Sequence, residues 1–407
     1  MAQDTHPDYR ATSPEETLQR ITPFLKDMGI TRLANVTGLD QIGIPVYLAF
    51  RPNSRSLSIS QGKGVSSAHA KISALMETIE SHHGETIETE RILASINQVK
   101  RRQYSLCDYG GLVRYKGKEF NHHKDMEWLW GKELISNTKR LVPYISVHVD
   151  MRVGTLRQSD VFLQSSNGLA SGNTMEEAIA HAMCELIERD AYACWFLSDT
   201  QHQTKVNLLS IKSDSCNALI QKFHTADTHV GIWNMTSDTE VPCFIARIIP
   251  KDPPNLCPIR PASGFGCHPN KELALSRALT EAAQSRLTFI AGARDDIHTS
   301  NYDHFISSDE YNKWHHSIVE QTALTDYTDI SSFEINEPAD IEVILKKQLQ
   351  HIGIKEIITV DLTKKRYGIP VVKVVIPHLE GGAGYSVMNC GRRANKILEA
   401  RLGRKVA

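Results

Sequence analysis

Three stretches of this chain repeat one pattern: 70–80 (AKISALMETIE), 178–188 (AIAHAMCELIE) and 274–284 (ALSRALTEAAQ). Each sets Ala, Ala, a large apolar residue, Glu, and then Glu or Gln at the same offsets. Residues three and four apart share a helical face, so the spacing predicts three equivalent amphipathic helices. A chain that repeats a helix in register is constrained to fold as repeated units. In the first copy Ile72, Leu75, Met76 and Ile79 follow the i, i+3, i+4, i+7 rule and predict a core face. Ser73, Glu77 and Glu80 form a second stripe about 100° round the cylinder, at the edge of that face. The second copy turns Ala180, Met183, Cys184 and Ile187 inward and places His181, Glu185 and Glu188 on the flank, followed by Arg189 and Asp190. The third carries Arg277, Glu281 and Gln284 on the flank, and Arg286 follows.

A single Glu-x-x-Glu pair on such a helix is ordinarily a solvated face. A repeat kept only for packing would preserve the alanines and the apolar residue and let the flank drift among polar types. Here the flank is kept in all three copies. Four carboxylates on two equivalent flanks repel one another in a low dielectric unless a cation or protons neutralise them. Oxygen-only donors favour Mg2+ over zinc.

Proline leads four β-branched or aromatic runs, at 43–52, 142–150, 241–250 and 368–377, as suits the first residue of a strand. Each leads through a Gly-containing loop to a helix, the last near residues 392–401. The reading is an α/β (α+β) chain of strand-loop-helix units with internal pseudo-symmetry. Loops at 60–67 (SQGKGVSS), 165–173 (SSNGLASGN) and 262–270 (ASGFGCHPN) are read as Gly-rich turns whose free N–H groups suit phosphate oxygens. Segments 91–121 and 200–238 read as excursions between units, and 295–338 as a polar linker with one short helix. A further amphipathic helix over 340–352 leads to a strand at 354–363. GKGVSS at 62–67 lacks Walker A spacing. With four acids able to hold Mg2+, and with Arg189, Arg286 and Arg294 nearby, the pattern predicts a nucleotide site of a non-Walker kind.

The 407 residues carry a net charge of −1, which gives no electrostatic case for nucleic-acid binding. The N-terminal MAQDTHPDYR lacks an apolar core, and no stretch approaches a membrane span. Cys107, Cys184, Cys194, Cys216, Cys243, Cys257, Cys267 and Cys390 include no CxxC pair and read as reduced packing residues of a cytoplasmic protein.

At this point the motifs resemble the YcaO family. The likeness is carried by Ser-x3-Glu-x2-Glu at Ser73, Glu77 and Glu80, by SNGLASGNTMEEAIAHAMCELIERDA at 166–191, and by TEAAQSRL at 280–287. It covers nearly the whole chain. The resemblance implies a YcaO-like fold that binds ATP and Mg2+ and activates a peptide backbone amide oxygen by phosphorylation. Residue by residue it implies Glu77, Glu80, Glu185 and Glu188 as Mg2+ ligands. It implies Ser73, Ser166, Asn167, Arg189, Glu281, Gln284 and Arg286 near ATP. Segment 9–21 (YRATSPEETLQRI) resembles the family's leading helix, which adds Arg10 and Thr17. By the same likeness residues 1–60 form an N-terminal helix and first strand, integrated with a YcaO domain over 61–407.

The opening at 31–64 is similar to the branch that works with a TfuA partner and makes backbone thioamides. Azoline-forming members often end in PxPxP, whereas this sequence reads EARLGRKVA at that position. The expected partners are therefore a peptide or protein substrate, a TfuA-like protein, a sulfide donor and a second copy in a homodimer. Azoline formation remains the alternative product, since only the nucleophile differs. No general base is singled out; His82, His83 and His181 lie near the carboxylates in register. One rival is a di-metal carboxylate oxidase, for which Glu80-x-x-His83 imitates half the site, but Glu188 lacks the matching histidine. Another is a non-catalytic accessory protein of ribosomal protein methylthiolation.

Overall fold

All three matched stretches lie inside long helices, each following a short strand. The structure, a computed structural model, describes residues 9–152, 161–199, 202–252, 260–302 and 308–403. The first unit comprises α1 (Pro14–Ile21), β1 (Arg32–Asn35), β2 (Val46–Phe50), β3 (Ile59–Lys63) and α2 (Ser67–Glu85). The second comprises β4 (Ile92–Ala94), α3 (Ile96–Arg101), β5 (Met126–Glu133), β6 (Lys139–Pro143), β7 (Leu169–Ser171) and α4 (Met175–Leu197). The third holds β8 (Val206–Asn207), α5 (Asp214–Thr225), β9 (Thr228–Asn234), β10 (Cys243–Pro250), β11 (Ala262–Cys267) and α6 (Lys271–Ala291). There follow α7 (Ser308–His315), β12 (Thr325–Asp326), α8 (Pro338–His351), β13 (Ile358–Asp361), β14 (Val371–Val375) and α9 (Arg392–Leu402).

The strands form antiparallel sheets β1-β2-β3, β11-β10-β9 and β4-β5-β13-β14-β7, with β6 beside β5, and a parallel pair β12-β8. The first and third units are built alike: α2 lies across β3 and β2, and α6 across β11 and β10. The second differs, because α4 rests on β7 and β14, the latter supplied from the C-terminal part of the chain.

The glycines of the three expected phosphate loops have another use. Those segments contain the strands β3, β7 and β11, and Gly62, Gly264, Gly266 and Gly172 sit where a helix crosses the strand or its end. A Cβ on Gly62 would fall 2.0 Å from the Ala74 nitrogen and 2.2 Å from the Ala70 carbonyl oxygen. One on Gly266 would meet the Ala274 oxygen at 2.0 Å, one on Gly264 the Ala282 nitrogen at 2.1 Å, and one on Gly172 the Ala178 nitrogen at 2.6 Å. The paired alanines of the repeat face these glycines, so helix and strand backbones touch. In β3 and β11 the segment's amides belong to a strand ladder and are not a free phosphate cradle.

Other readings are corrected by packing. Residues 142–150 are not a strand: β6 ends at Pro143 and a 3-10 turn follows at Tyr144–Ser146. Segment 200–238 supplies α5 and β9, an integral edge of the third sheet. Segment 91–121 supplies β4 and α3, whose Ile96 and Val99 join Trp128 and Phe162 in a core cluster. The one short helix expected in 295–338 is present as α7, and its buried Tyr311 donates its hydroxyl to the carbonyls of Pro250 and Lys251 at 3.1 and 2.6 Å, tying the segment to the fold. The seven described cysteines are free and all but Cys390 are buried; Cys257 and residues 404–407 of the chain's end lie outside the described residues. Among the described residues no helix is long and apolar enough to cross a membrane.

Candidate functional site

The flanks of α2, α4 and α6 converge on one cavity of about 870 Å³. Its wall takes Ser73, Glu77 and Glu80 from α2, Glu185, Glu188 and Arg189 from α4, and Glu281 and Gln284 from α6. Ser166 enters from the turn before β7. Arg10, from the segment before α1, and Thr17 of α1 close one side. The N-terminal helix is held there by Thr17, hydrogen-bonded to Asn173 at 2.8 Å, and by Arg10, 3.6 Å from Glu177.

Burial sets the charge state of the acids. It pushes the Glu77 carboxyl up to about 7, although Arg294 and Lys63 oppose it. Glu80 rises to about 8 for the same reason, against hydrogen bonds from the Ser171 hydroxyl (2.7 Å) and amide (2.8 Å). Burial also raises Glu188, opposed by Arg189, whose guanidinium lies 3.8 Å away. Glu281 moves the other way: burial is outweighed by Lys63, which ion-pairs with it, and by Arg189. Glu185 accepts the Gly168 N–H at 2.9 Å. The cavity thus holds acids that keep protons near neutrality unless a cation takes their place.

That donor set fits a hard divalent ion. Among the described residues no three acid, imidazole or thiol groups enclose a metal by themselves. Mg2+ does not need such a cage, since it commonly takes one or two carboxylates and completes its shell with water and substrate phosphates. Arg10, Lys63, Arg189 and Arg294 line the same wall and supply positive charge for a polyphosphate.

Two expected residues are not brought to the cavity. Arg286 is buried and turned to Asp40, with Nε–Oδ2 at 2.7 Å. It lies two residues past Gln284, about 200° round the helix, and so faces the other side. Asn167 donates its amide to the Gly381 carbonyl at 3.1 Å, away from its neighbour Ser166. His83 is fully buried and its Nδ1 is 2.7 Å from the Ile79 carbonyl, so Glu80-x-x-His83 presents no half-site of a di-metal centre. Of the three histidines named, only His181 lines the cavity; burial holds its imidazole well below the usual range and its Nδ1 is buried without a partner.

Sequence reasoning missed Lys63 as the partner of Glu281, Gln61, whose carbonyl accepts from the Gln284 amide at 3.0 Å, and Ser171 beneath Glu80. It also missed Lys373, buried on β14 and donating to the Ser165 carbonyl at 2.6 Å, its ammonium pushed down to about 8 by burial. Lys63 and Gln61 alternate at the period of a strand, a signal available once 59–63 is read as one.

Comparison with known proteins settles the lineage. Residues 61–380 match the family model described as YcaO cyclodehydratase, ATP- and Mg2+-binding. The chain belongs to the YcaO family. It is 31% identical over 397 residues to an uncharacterized protein in the tfuA 3′ region of Rhizobium leguminosarum bv. trifolii, covering 95% of this chain and 92% of that one. An uncharacterized protein of Methanothermobacter thermautotrophicus is 32% identical over 389 residues, covering 92% and 95%. Among solved structures, a heterocyclase in complex with substrate and cofactor superposes with a TM-score of 0.77 at 20% identity, over 100% of this chain and 57% of that one. YcaO from Methanopyrus kandleri, bound with AMPPCP and Mg2+, superposes with a TM-score of 0.73 at 20% identity, over 96% and 98%. At that identity the structural likeness establishes the YcaO fold. The family is ATP- and Mg2+-binding, and the Rhizobium relative supports this chain's resemblance to the TfuA-associated branch.

Proposed function

We propose that this YcaO protein uses ATP and Mg2+ to activate a backbone amide of a peptide or protein, and that with a TfuA-like partner and a sulfide source it makes a thioamide. One observation carries the reading: two Glu pairs, on α2 and α4, meet the Glu281–Gln284 pair of α6 in one cavity with five cationic side chains, Arg10, Lys63, Arg189, Arg277 and Arg294. An amide carbonyl is a poor electrophile with a poor leaving oxygen. Bound ATP supplies the phosphoryl group that converts that oxygen into phosphate, after which sulfide adds at carbon.

The protein's part is positioning and charge neutralisation. Glu77, Glu80, Glu185 and Glu188 would hold Mg2+. Ser73, Ser166, Glu281 and Gln284 would orient the nucleotide, and Gln284, the uncharged member of the repeat, suits a neutral hydrogen-bonding role. Arg10, Thr17 and Arg189 would close over the phosphates. The thioamide reading draws on the likeness to the protein of the tfuA 3′ region; a homodimer belongs to the same proposal.

The test is direct. Protein, ATP, Mg2+, sulfide, a TfuA-like protein and candidate peptides are incubated and the peptides weighed by mass spectrometry. The reading expects the gain of one sulfur-for-oxygen exchange per site; loss of one water would assign azoline formation instead.

A further inference from the structure

Among the described residues, Arg247 on β10 is a cation without an anion. Its side chain has no hydrogen bond or ion pair with any described residue, and its Nε is sealed from solvent without a partner. Instead the guanidinium carbon lies 5.0, 5.1 and 5.3 Å from the ring centres of Trp195, Trp233 and Trp314. These come from α4, β9 and α7, so three separate elements deliver one tryptophan each. The arrangement is built into the sheet. Gly231 pairs with Arg247 across the ladder, and a Cβ there would stand 2.8 Å from the Trp233 ring. Only glycine lets that ring lie along the strand beside the guanidinium.

The aromatic faces attract the cation but satisfy none of its N–H groups. A second donor is stranded in the same place, since Trp195 is 5% exposed and its indole Nε1–H is buried without an acceptor. Burial pulls the guanidinium below its usual range with no carboxylate to oppose it. The sealed Arg247 Nε and Trp195 Nε1 are thus two donors without an acceptor, while the half-buried guanidinium keeps its terminal nitrogens open to an incoming group. A planar carboxylate matches an arginine fork best.

The site adjoins the cavity. Tyr192, one turn beyond Glu188 on α4, packs on Phe265 with ring centres 4.6 Å apart, and Phe265 lines the cavity wall. Glu188 and Trp195 stand two turns apart on that helix, about 10 Å, a span that an extended peptide covers in about three residues. We propose that the tryptophan-lined Arg247 docks a carboxylate of the peptide substrate, about three residues from the amide presented to the cavity. This rests on the reading of the chain as a peptide-modifying enzyme.

Tryptophan fluorescence of the full chain, without ATP or Mg2+, tests it independently of the nucleotide site. The probes are Ac-Gly-Gly-Asp-Gly-Gly-NH2, its Asn counterpart, Ac-Gly-Gly-Gly with a free C-terminus, and sodium acetate. Saturable binding of a carboxylate peptide, at least about tenfold tighter than the Asn peptide and lost in Arg247→Gln, is expected. The tighter of the two carboxylate peptides then identifies a side chain or a chain end as the source. Equal binding of the Asn peptide and both carboxylate peptides, unchanged binding in Arg247→Gln, or acetate binding as tightly as the peptides would overturn it. Should Arg247→Gln fail to fold, the comparison of the Asn peptide with the two carboxylate peptides on the unaltered protein decides. Loss of ATP binding with peptide binding intact would instead count against the nucleotide reading alone.

Discussion

At the residue scale, burial without compensation recurs across the molecule and makes its pH response predictable. His82, His83 and His148 are each pulled down from 6.5 to about 4, first by burial and further by neighbouring cations; the Ile79 carbonyl partly opposes this at His83 and Asp150 at His148. The fold therefore refuses protons that the unfolded chain accepts. Stability from these groups is complete above 6.5 and lost as pH falls toward 4. Melting temperature should decline between pH 7 and 5, and a His82→Gln/His83→Gln variant should flatten that decline whatever its own stability; an unchanged slope would contradict the assignment. The cysteines give a second check. Burial raises Cys243 and Cys267, and Cys184 is raised by the hydrogen bond its thiol donates to Cys267 and by burial. Because thiolates are the reactive form, these three should resist iodoacetamide in the native protein at pH 8 and label on unfolding, as mass mapping would show.

At the scale of elements, the helix repeat is a record of backbone contact. Alanines at 70 and 74, and at 274 and 278, press on glycines of the preceding strand, and the carboxylate flank follows from the orientation this fixes. Gly62→Ala and Gly264→Ala should each destabilise by about 3 kcal/mol or more, because backbone cannot yield as a side chain does. Gly38→Ala, with nothing within 4 Å of its added methyl, should be nearly neutral in the same urea melts. These contacts also explain what was legible in the sequence. Helices α2, α4 and α6 and their flank acids could be read because 3.6-residue periodicity survives in the side chains. Strands β3 and β11 could not, since their glycines show no β-propensity and resemble loops, and three-residue β7 is hidden between Gly168 and Gly172. Arg286 and Asn167 follow from the family resemblance, but they point away from their neighbours Gln284 and Ser166, and only the fold shows that. Lys63 was hidden for the converse reason: its partner Glu281 is distant in sequence and belongs to another unit.

At the scale of the whole molecule, both ends of the chain return to α4, the central helix of the site. Near its start, the Ala11 amide donates to Glu177, and Arg20 reaches Asn173 at 2.9 Å. Near its end, fully buried Asp190 pairs with Arg393 of α9 at 2.8 Å, while Glu380 accepts the Gly391 and Ala394 amides that open α9. Asp190→Ala leaves Arg393 only its exposed partner Asp238 and strips the Glu380 amide of its acceptor, and should cost about 2–3 kcal/mol, measured by denaturant titration. We propose that residues 1–60 form one globular unit with the rest, and removal of residues 1–30 should accordingly weaken nucleotide binding as well as stability. At the site, the acids of two repeated helices, beside cationic side chains, are proposed to hold Mg2+ for ATP. Calorimetric titration of ATP tests this most directly. The unaltered protein should bind ATP with Mg2+ and lose it in EDTA, and Glu77→Gln and Glu188→Gln should each weaken binding by more than about tenfold. Unchanged affinity in both variants, with native-like melting, would contradict it.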